Sequence, residues 1–226
     1  MKKHVLSLLM ALGATAVMQS ASAAGDAEAG AEKVAVCAAC HGQDGNSPAP
    51  NFPKIAGLGE NYIFKQLQDI QAWDQASGEE KATTGRAVVE MTGMLSGMSE
   101  QDLADIAAYY AGQSMQLSGA KEMTVKVNSG ADVDALKLGE HLYRAGNAET
   151  GVPACSGCHS PTGYGNPPAA YPRLGGQYPE YIEKQLKAFR GGERTNDGDQ
   201  MTMRLVAKHL SDAEIKAVAN YIGGLN

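Results

Sequence analysis

Residues 37–50 read CAACHGQDGNSPAP, and residues 155–168 read CSGCHSPTGYGNPP. Each stretch packs two cysteines and a histidine into five positions and follows them with glycine, asparagine and proline. Thiols two residues apart near a helix end can both reach the vinyl groups along one edge of a haem and form thioethers. The adjacent histidine then lies under the ring, where its imidazole can bind the iron. Cys37, Cys40, Cys155 and Cys158 are therefore read as covalent attachment points for two haem c groups, with His41 and His159 as axial ligands. Three other readings compete. A thioredoxin-like redox pair would need a βαβ pattern that the flanking sequence lacks. A zinc site pooling both motifs has no need of a histidine in each copy. Two simple disulfides are the third alternative, but all four cysteines of the chain fall inside the two motifs and none is left over.

The duplication extends beyond the motifs. NFPKIAGLGENYIFKQLQDI in the front half answers AYPRLGGQYPEYIEKQLKAF in the back half, matching Pro53 with Pro172, Tyr62 with Tyr181 and Gln66-Leu67 with Gln185-Leu186. The offset is 119 there, 118 at the cysteine motifs and 112 where MSEQDLADIAAYYAG answers LSDAEIKAVANYIGG. Each half predicts a first helix leading to CxxCH, over about 26–39 or 133–144. A second follows over 60–72 or 179–190, with Pro179 suited to a first-turn position. The closing helix is the clearest: Ser211 and Glu214 form a capping box, and Ile215, Val218, Ala219 and Ile222 share one face. Ser99 and Asp102 open the matching helix. Strand patterning is weak, apart from a brief alternation in MTVKV, residues 123–127. The fold class is all-α, with domains at 24–112 and 132–226 and an interdomain connection at 113–131. Each is small for a self-sufficient core, so a large buried apolar cofactor would help it fold.

The repeat also selects a second axial ligand for each iron. Haem electron carriers pair histidine with methionine, and the chain has ten methionines. A methionine is more often a gap-filler than a ligand. At the 112 offset, however, Met91 stands opposite Met203, whereas Met94 falls on Val206 and Met201 on Val89. Met91 and Met203 are the expected sulfur ligands. Neutral thioether sulfur favours ferrous iron and raises the potential. It also fills the last coordination position, which suits electron transfer and hinders peroxide or oxygen chemistry. His141 and His209 have no repeat mates of their own kind and are read as surface residues.

Composition adds a compartment and a charge asymmetry. Lys2 and Lys3, the apolar run 5–18 and Ala21-Ser22-Ala23 read as a secretory signal peptide over residues 1–23, the run being shorter than the ~20 residues needed to span a bilayer. The mature chain is expected in a bacterial periplasm, free or loosely attached to the inner membrane surface. Residues 24–120 hold 5 basic and 13 acidic side chains, and residues 121–226 hold 12 of each. That balance disfavours nucleic acid as a partner. Negative surroundings stabilise ferric iron, so the haem at His41 is expected to have the lower potential.

The stretches VCAACHGQDGNSPAPNFPKIAG, EMTGM, ACSGCH and FRGGERTNDGDQMTMR, with the two closing helices, resemble the dihaem periplasmic cytochromes c4, each half being similar to a class I cytochrome c. The resemblance implies two all-α domains facing each other, with haem propionates near the interface. It implies an electron carrier rather than an enzyme, taking electrons from a quinol-oxidising complex and passing them towards a membrane-bound terminal oxidase. It also points to Met91 and Met203 as ligands. Pro53 and Pro172 resemble the proline whose carbonyl accepts the proximal histidine N–H; the alternative is that they only shape a loop. The rival function is an electron-transfer subunit of a haem enzyme complex, a peroxidase or a sulfur-compound dehydrogenase. As a catalyst such a protein needs a vacant iron site or an unusual ligand such as cysteine, and the chain has no fifth cysteine.

Overall fold

A computed structural model describes residues 24–226; the expected signal segment, 1–23, lies outside the described residues. Two helical groups follow one another along the chain. The first holds α1 (Ala27–Lys33), α2 (Ala35–His41), α3 (Glu60–Gln75) and α4 (Glu100–Ala111). A short antiparallel hairpin follows, β1 (Thr124–Lys126) paired with β2 (Asp132–Asp134), Val125 facing Val133. The second group holds α5 (Ala135–Ala145), α6 (Ser156–His159), α7 (Pro179–Gly191), α8 (Thr202–Ala207) and α9 (Asp212–Gly224).

In each group the first and last helices cross at a glycine. A methyl on Gly30 would stand 2.1 Å from the Asp105 carbonyl oxygen, and one on Gly139 would stand 2.3 Å from that of Ala217. Only a residue without Cβ lets α1 lie against α4, and α5 against α9, at this distance. The closing helices begin as their sequences dictate. Ser99 with Asp102 and Ser211 with Glu214 both form reciprocal capping boxes. From there α4 buries Leu103, Ile106 and Tyr110 against Ile63 and Leu67, while α9 buries Val218 and Ile222 against Leu142, Tyr143 and Ile182.

The entry to the CxxCH motifs differs from the single helix expected in each half. In the first, the chain breaks at Val34 (φ −85°, ψ 4°) and restarts, so α2 alone carries CAACH. In the second, α5 stops at Ala145, and residues 146–155 form a loop clipped by the Asn147 and Val152 backbones. Pro153 cannot donate to a continuing helix there. Val133, expected in the first helix of the second half, lies instead in β2. The alternation in MTVKV materialises as β1, whose buried Val125 packs beside Ala135 and Ala217.

The connection is pinned at both ends. Asn46 Oδ1 accepts from the Gln116 amide (2.7 Å), and the Gly119 amide donates to Gly223 O (2.9 Å). Asn220 spans the Lys121 peptide at 2.9 and 2.8 Å. Across the two groups, Gln177 makes the same two-sided clasp on Lys54, at 3.0 and 2.7 Å, and the Tyr178 hydroxyl donates to Ser47 O at 2.6 Å. Polar side chains satisfying main chain in this way fix one domain against the other.

Candidate functional site

Within the first group, α2 ends on His41, placing Cys37, Cys40 and His41 along one wall of a cavity of about 460 Å³. Leu58, Ile63, Leu67, Ile70, Leu95 and Ile106 supply apolar walls. Met91, in a single helical turn at 89–91, also lines this space, as does Met94, which is 37% exposed. The four residues expected to hold the first haem thus share one apolar chamber, and the chamber offers a second thioether beside Met91.

The two histidines are aimed identically. His41 Nδ1 lies 2.8 Å from the Pro53 carbonyl oxygen and His159 Nδ1 lies 2.9 Å from that of Pro172. A carbonyl can only accept, so Nδ1 carries the proton in both rings and Nε2 keeps its lone pair. Burial pushes both imidazoles below the ordinary value, partly offset by these carbonyls, which keeps them neutral and suited to a metal. An aromatic residue precedes each proline and sits near the histidine ring: Phe52 at 6.4 Å from His41, Tyr171 at 6.1 Å from His159.

In the second group Cys155 caps α6, Cys158 and His159 lie on it, and His159 is buried at 7% exposure. Met203 sits half-buried on α8, which packs on α7. The buried Asp197 carboxylate accepts from the Arg204 amide (2.8 Å) and Nε (2.7 Å), fixing the start of this helix. His141 and His209 are exposed, as expected of surface residues.

Sequence reasoning passed over the residues that steady the methionine segments. Gln71 Nε2 donates to the carbonyls of Leu95 (2.8 Å) and Met98 (2.9 Å), tying the segment after Met91 to α3. Arg190, its repeat mate at the 119 offset, donates to Leu210 O at 2.8 Å, and Leu210 is the mate of Met98. The signal was present in the offset, but glutamine and arginine share no side-chain type.

The competing readings of CxxCH fare poorly. Burial pushes the Cys37 thiol up and the Cys155 thiol up to about 11, the opposite of a poised redox thiolate. All four cysteines are free, and among the described residues no three His, Cys, Asp or Glu side chains converge as zinc ligands. A haem fits the donor set instead. At the first site two thiols precede a neutral imidazole, soft sulfur lies in the same apolar chamber, the buried Tyr110 hydroxyl is unpaired, and the guanidiniums of Arg86 and Arg194 border the space.

Known proteins agree. A family model described as cytochrome c matches residues 27–112 and 136–226. Cytochrome c4 of Azotobacter vinelandii is 52% identical over 226 residues, covering 100% of both chains. The crystal structure of reduced recombinant cytochrome c4 from Pseudomonas stutzeri shares 53% identity and a TM-score of 0.81, covering 90% of this chain and 100% of that one. A more distant relative, a thiosulfate dehydrogenase electron acceptor of Thiomonas intermedia, is 34% identical over 193 residues, covering 84% of this chain and 78% of its own. The chain belongs to the dihaem cytochrome c4 family: two tandem cytochrome c domains carrying two covalent haem c groups, an electron carrier rather than an enzyme.

Proposed function

We propose that this chain works in the bacterial periplasm, free or loosely attached to the inner membrane, after loss of residues 1–23, and carries electrons from a quinol-oxidising complex to a membrane-bound terminal oxidase. Its domains span 24–112 and 132–226, joined by 113–131. Cys37 and Cys40, and Cys155 and Cys158, hold the haems through thioethers. His41 with Met91, and His159 with Met203, would hold the two irons, each through one imidazole nitrogen and one thioether sulfur. When bound, each haem supplies reversible one-electron chemistry between ferrous and ferric iron. The chain's part is positional. Pro53 and Pro172 hold each imidazole in the tautomer that presents Nε2, and that bond raises the ring's basicity. The apolar walls exclude water. A methionine sulfur on each iron would leave no vacancy for a substrate. Among the described residues no helix is long and apolar enough to cross a membrane.

The observation that carries this reading is the paired His–Pro geometry, 2.8 Å and 2.9 Å, repeated in both halves beside a free cysteine pair. A pyridine haemochrome assay should count two haems per chain, and carbon monoxide should not bind at neutral pH. Reduced protein should be reoxidised by membranes that contain a terminal oxidase. One haem per chain, or ready carbon monoxide binding, would defeat the reading. The Thiomonas intermedia relative favours a second donor, a sulfur-compound dehydrogenase; reduction by such an enzyme in place of a quinol-oxidising complex would select it.

A further inference from the structure

Two arginines from opposite domains meet at the cavity wall, and they are structural mates. The Arg86 amide donates to Asp69 O at 2.9 Å, and the Arg194 amide to Ala188 O at 3.1 Å. Asp69 and Ala188 lie at the 119 offset that also relates Tyr62 to Tyr181 and Gln66 to Gln185. The side chains obey the same two-fold relation. Arg86 donates to Gln66 of its own domain (2.9 Å) and to Tyr181 (3.1 Å) and Gln185 (3.2 Å) of the other. Arg194 donates to its own Gln185 (2.6 Å) and to Tyr62 (3.1 Å) and Gln66 (3.0 Å) across the interface. Each glutamine oxygen bridges both guanidiniums.

The charges do not balance. Among the described residues neither arginine has a carboxylate within 4.0 Å. Asp69, beside the network, is taken by Lys65 and by Asn196 (2.7 Å). Arg194 is only 8% exposed, and a buried cation that meets only neutral acceptors is costly. Tyr181 registers the excess: burial pushes its phenol up, yet Arg86 and Arg194 outweigh burial and hold it below the usual value. Tyr62, Gln66, Arg86, Tyr181, Gln185 and Arg194 all line the cavity that holds His41 and Met91. Asp69 acts on Arg86 only from beyond 4.0 Å, and haem c carries two carboxylates, the direct anionic partners that neither guanidinium has. Under the two-fold relation, what Arg86 is to the first site Arg194 is to the second.

We propose that Arg86 and Arg194 act as one counter-cation shared by the carboxylates of both haems, so that each arginine helps to set the potential of the haem in the opposite domain. The proposal rests on the two-haem reading. Positive charge near an iron favours its reduced form, and each guanidinium is bonded to both domains. They are positioning residues, acting through the carboxylates.

The test is a spectroelectrochemical titration of the holoprotein that resolves both midpoints, with haems counted in every sample. In Arg86→Gln and in Arg194→Gln both midpoints should fall. A fall confined to the haem of the substituted domain, or no shift, overturns the proposal. Two gentler variants guard against a loosened interface. Gln66→Glu keeps both guanidiniums and places a carboxylate between them, so both midpoints should again fall. Arg86→Lys keeps the charge and should stay near the parent. Unmoved midpoints in Gln66→Glu, or an Arg86→Lys protein as low as Arg86→Gln, would equally sink it. Fewer than two haems in the parent protein would remove the two-haem reading and the proposal together; two haems with an unshared shift would remove the proposal alone.

Discussion

Met91 and Met94 stand three residues apart and line the same chamber, Met91 packed against the core and Met94 37% exposed, so lining the chamber does not by itself choose between their sulfurs. The repeat does, because Met91 has Met203 opposite it and Met94 has Val206. Replacing Met91 with leucine should remove roughly half of the weak methionine-to-iron absorption near the red edge of the visible spectrum, since one of two haems loses its sulfur. That haem's potential should fall as well. Met94→Leu should leave both properties intact. If Met94→Leu abolishes the band and Met91→Leu spares it, the assignment moves three residues along the chain. The histidine side of each site was more legible, because CxxCH is contiguous and the Pro53 and Pro172 carbonyls that aim the rings stand just 12 and 13 residues on.

Elements held by local chemistry were readable, and those shaped by distant packing were not. The capping boxes at Ser99 and Ser211 and the first-turn Pro179 are written within four residues and appear where expected. The helix crossings at Gly30 and Gly139 depend on residues 70 or more positions away. Gly139→Ala tests the crossing. The added methyl would meet Ala217 O at 2.3 Å and Tyr221 Cβ at 2.7 Å, mostly main chain that cannot swing aside. Such overpacking should cost about 1–3 kcal/mol, read from denaturant unfolding with haem retained; an unchanged midpoint would mean that α5 and α9 separate freely. The Ser211 box carries a pH signature. Burial pushes the Glu214 carboxyl up, but the Ser211 amide (2.8 Å), Asn147 (3.0 Å) and the Ser211 hydroxyl (2.8 Å) outweigh it and hold it below its ordinary 4.5. A carboxyl depressed in the folded state contributes stability above its unfolded value and loses it as pH falls through the folded one. The stability gap between the parent and Glu214→Gln should therefore narrow as the solution is acidified below about 4.5. A gap that is constant with pH would show that the ionised form is not favoured by folding.

At the scale of the whole molecule, the duplication predicted two like sites, but the interface between them had to be seen. Arg86 and Arg194 lie 108 positions apart, a spacing shared neither by the helices that precede them nor by those that follow, so alignment never pairs them. Their equivalence appears through the carbonyls of Asp69 and Ala188 and through the mirrored bonds to Gln66, Gln185, Tyr62 and Tyr181. A cation pair bonded to both domains acts on both irons alike, so charge that the domains do not share is one source of a difference between the haems. That unshared charge is lopsided: 13 acidic against 5 basic residues over 24–120, and 12 of each over 121–226. Excess negative charge favours ferric iron, so the haem at His41 should have the lower midpoint. Most of these charges sit on the surface, where screening applies. With a Debye length of ~30 Å at 0.01 M salt and ~10 Å at 0.1 M, the separation of the two midpoints should shrink as salt is added. A titration at both ionic strengths, with the first haem identified through Met91→Leu, decides the matter. If the haem at His159 is the first to be oxidised, or the separation is indifferent to salt, net charge is not what distinguishes the two sites.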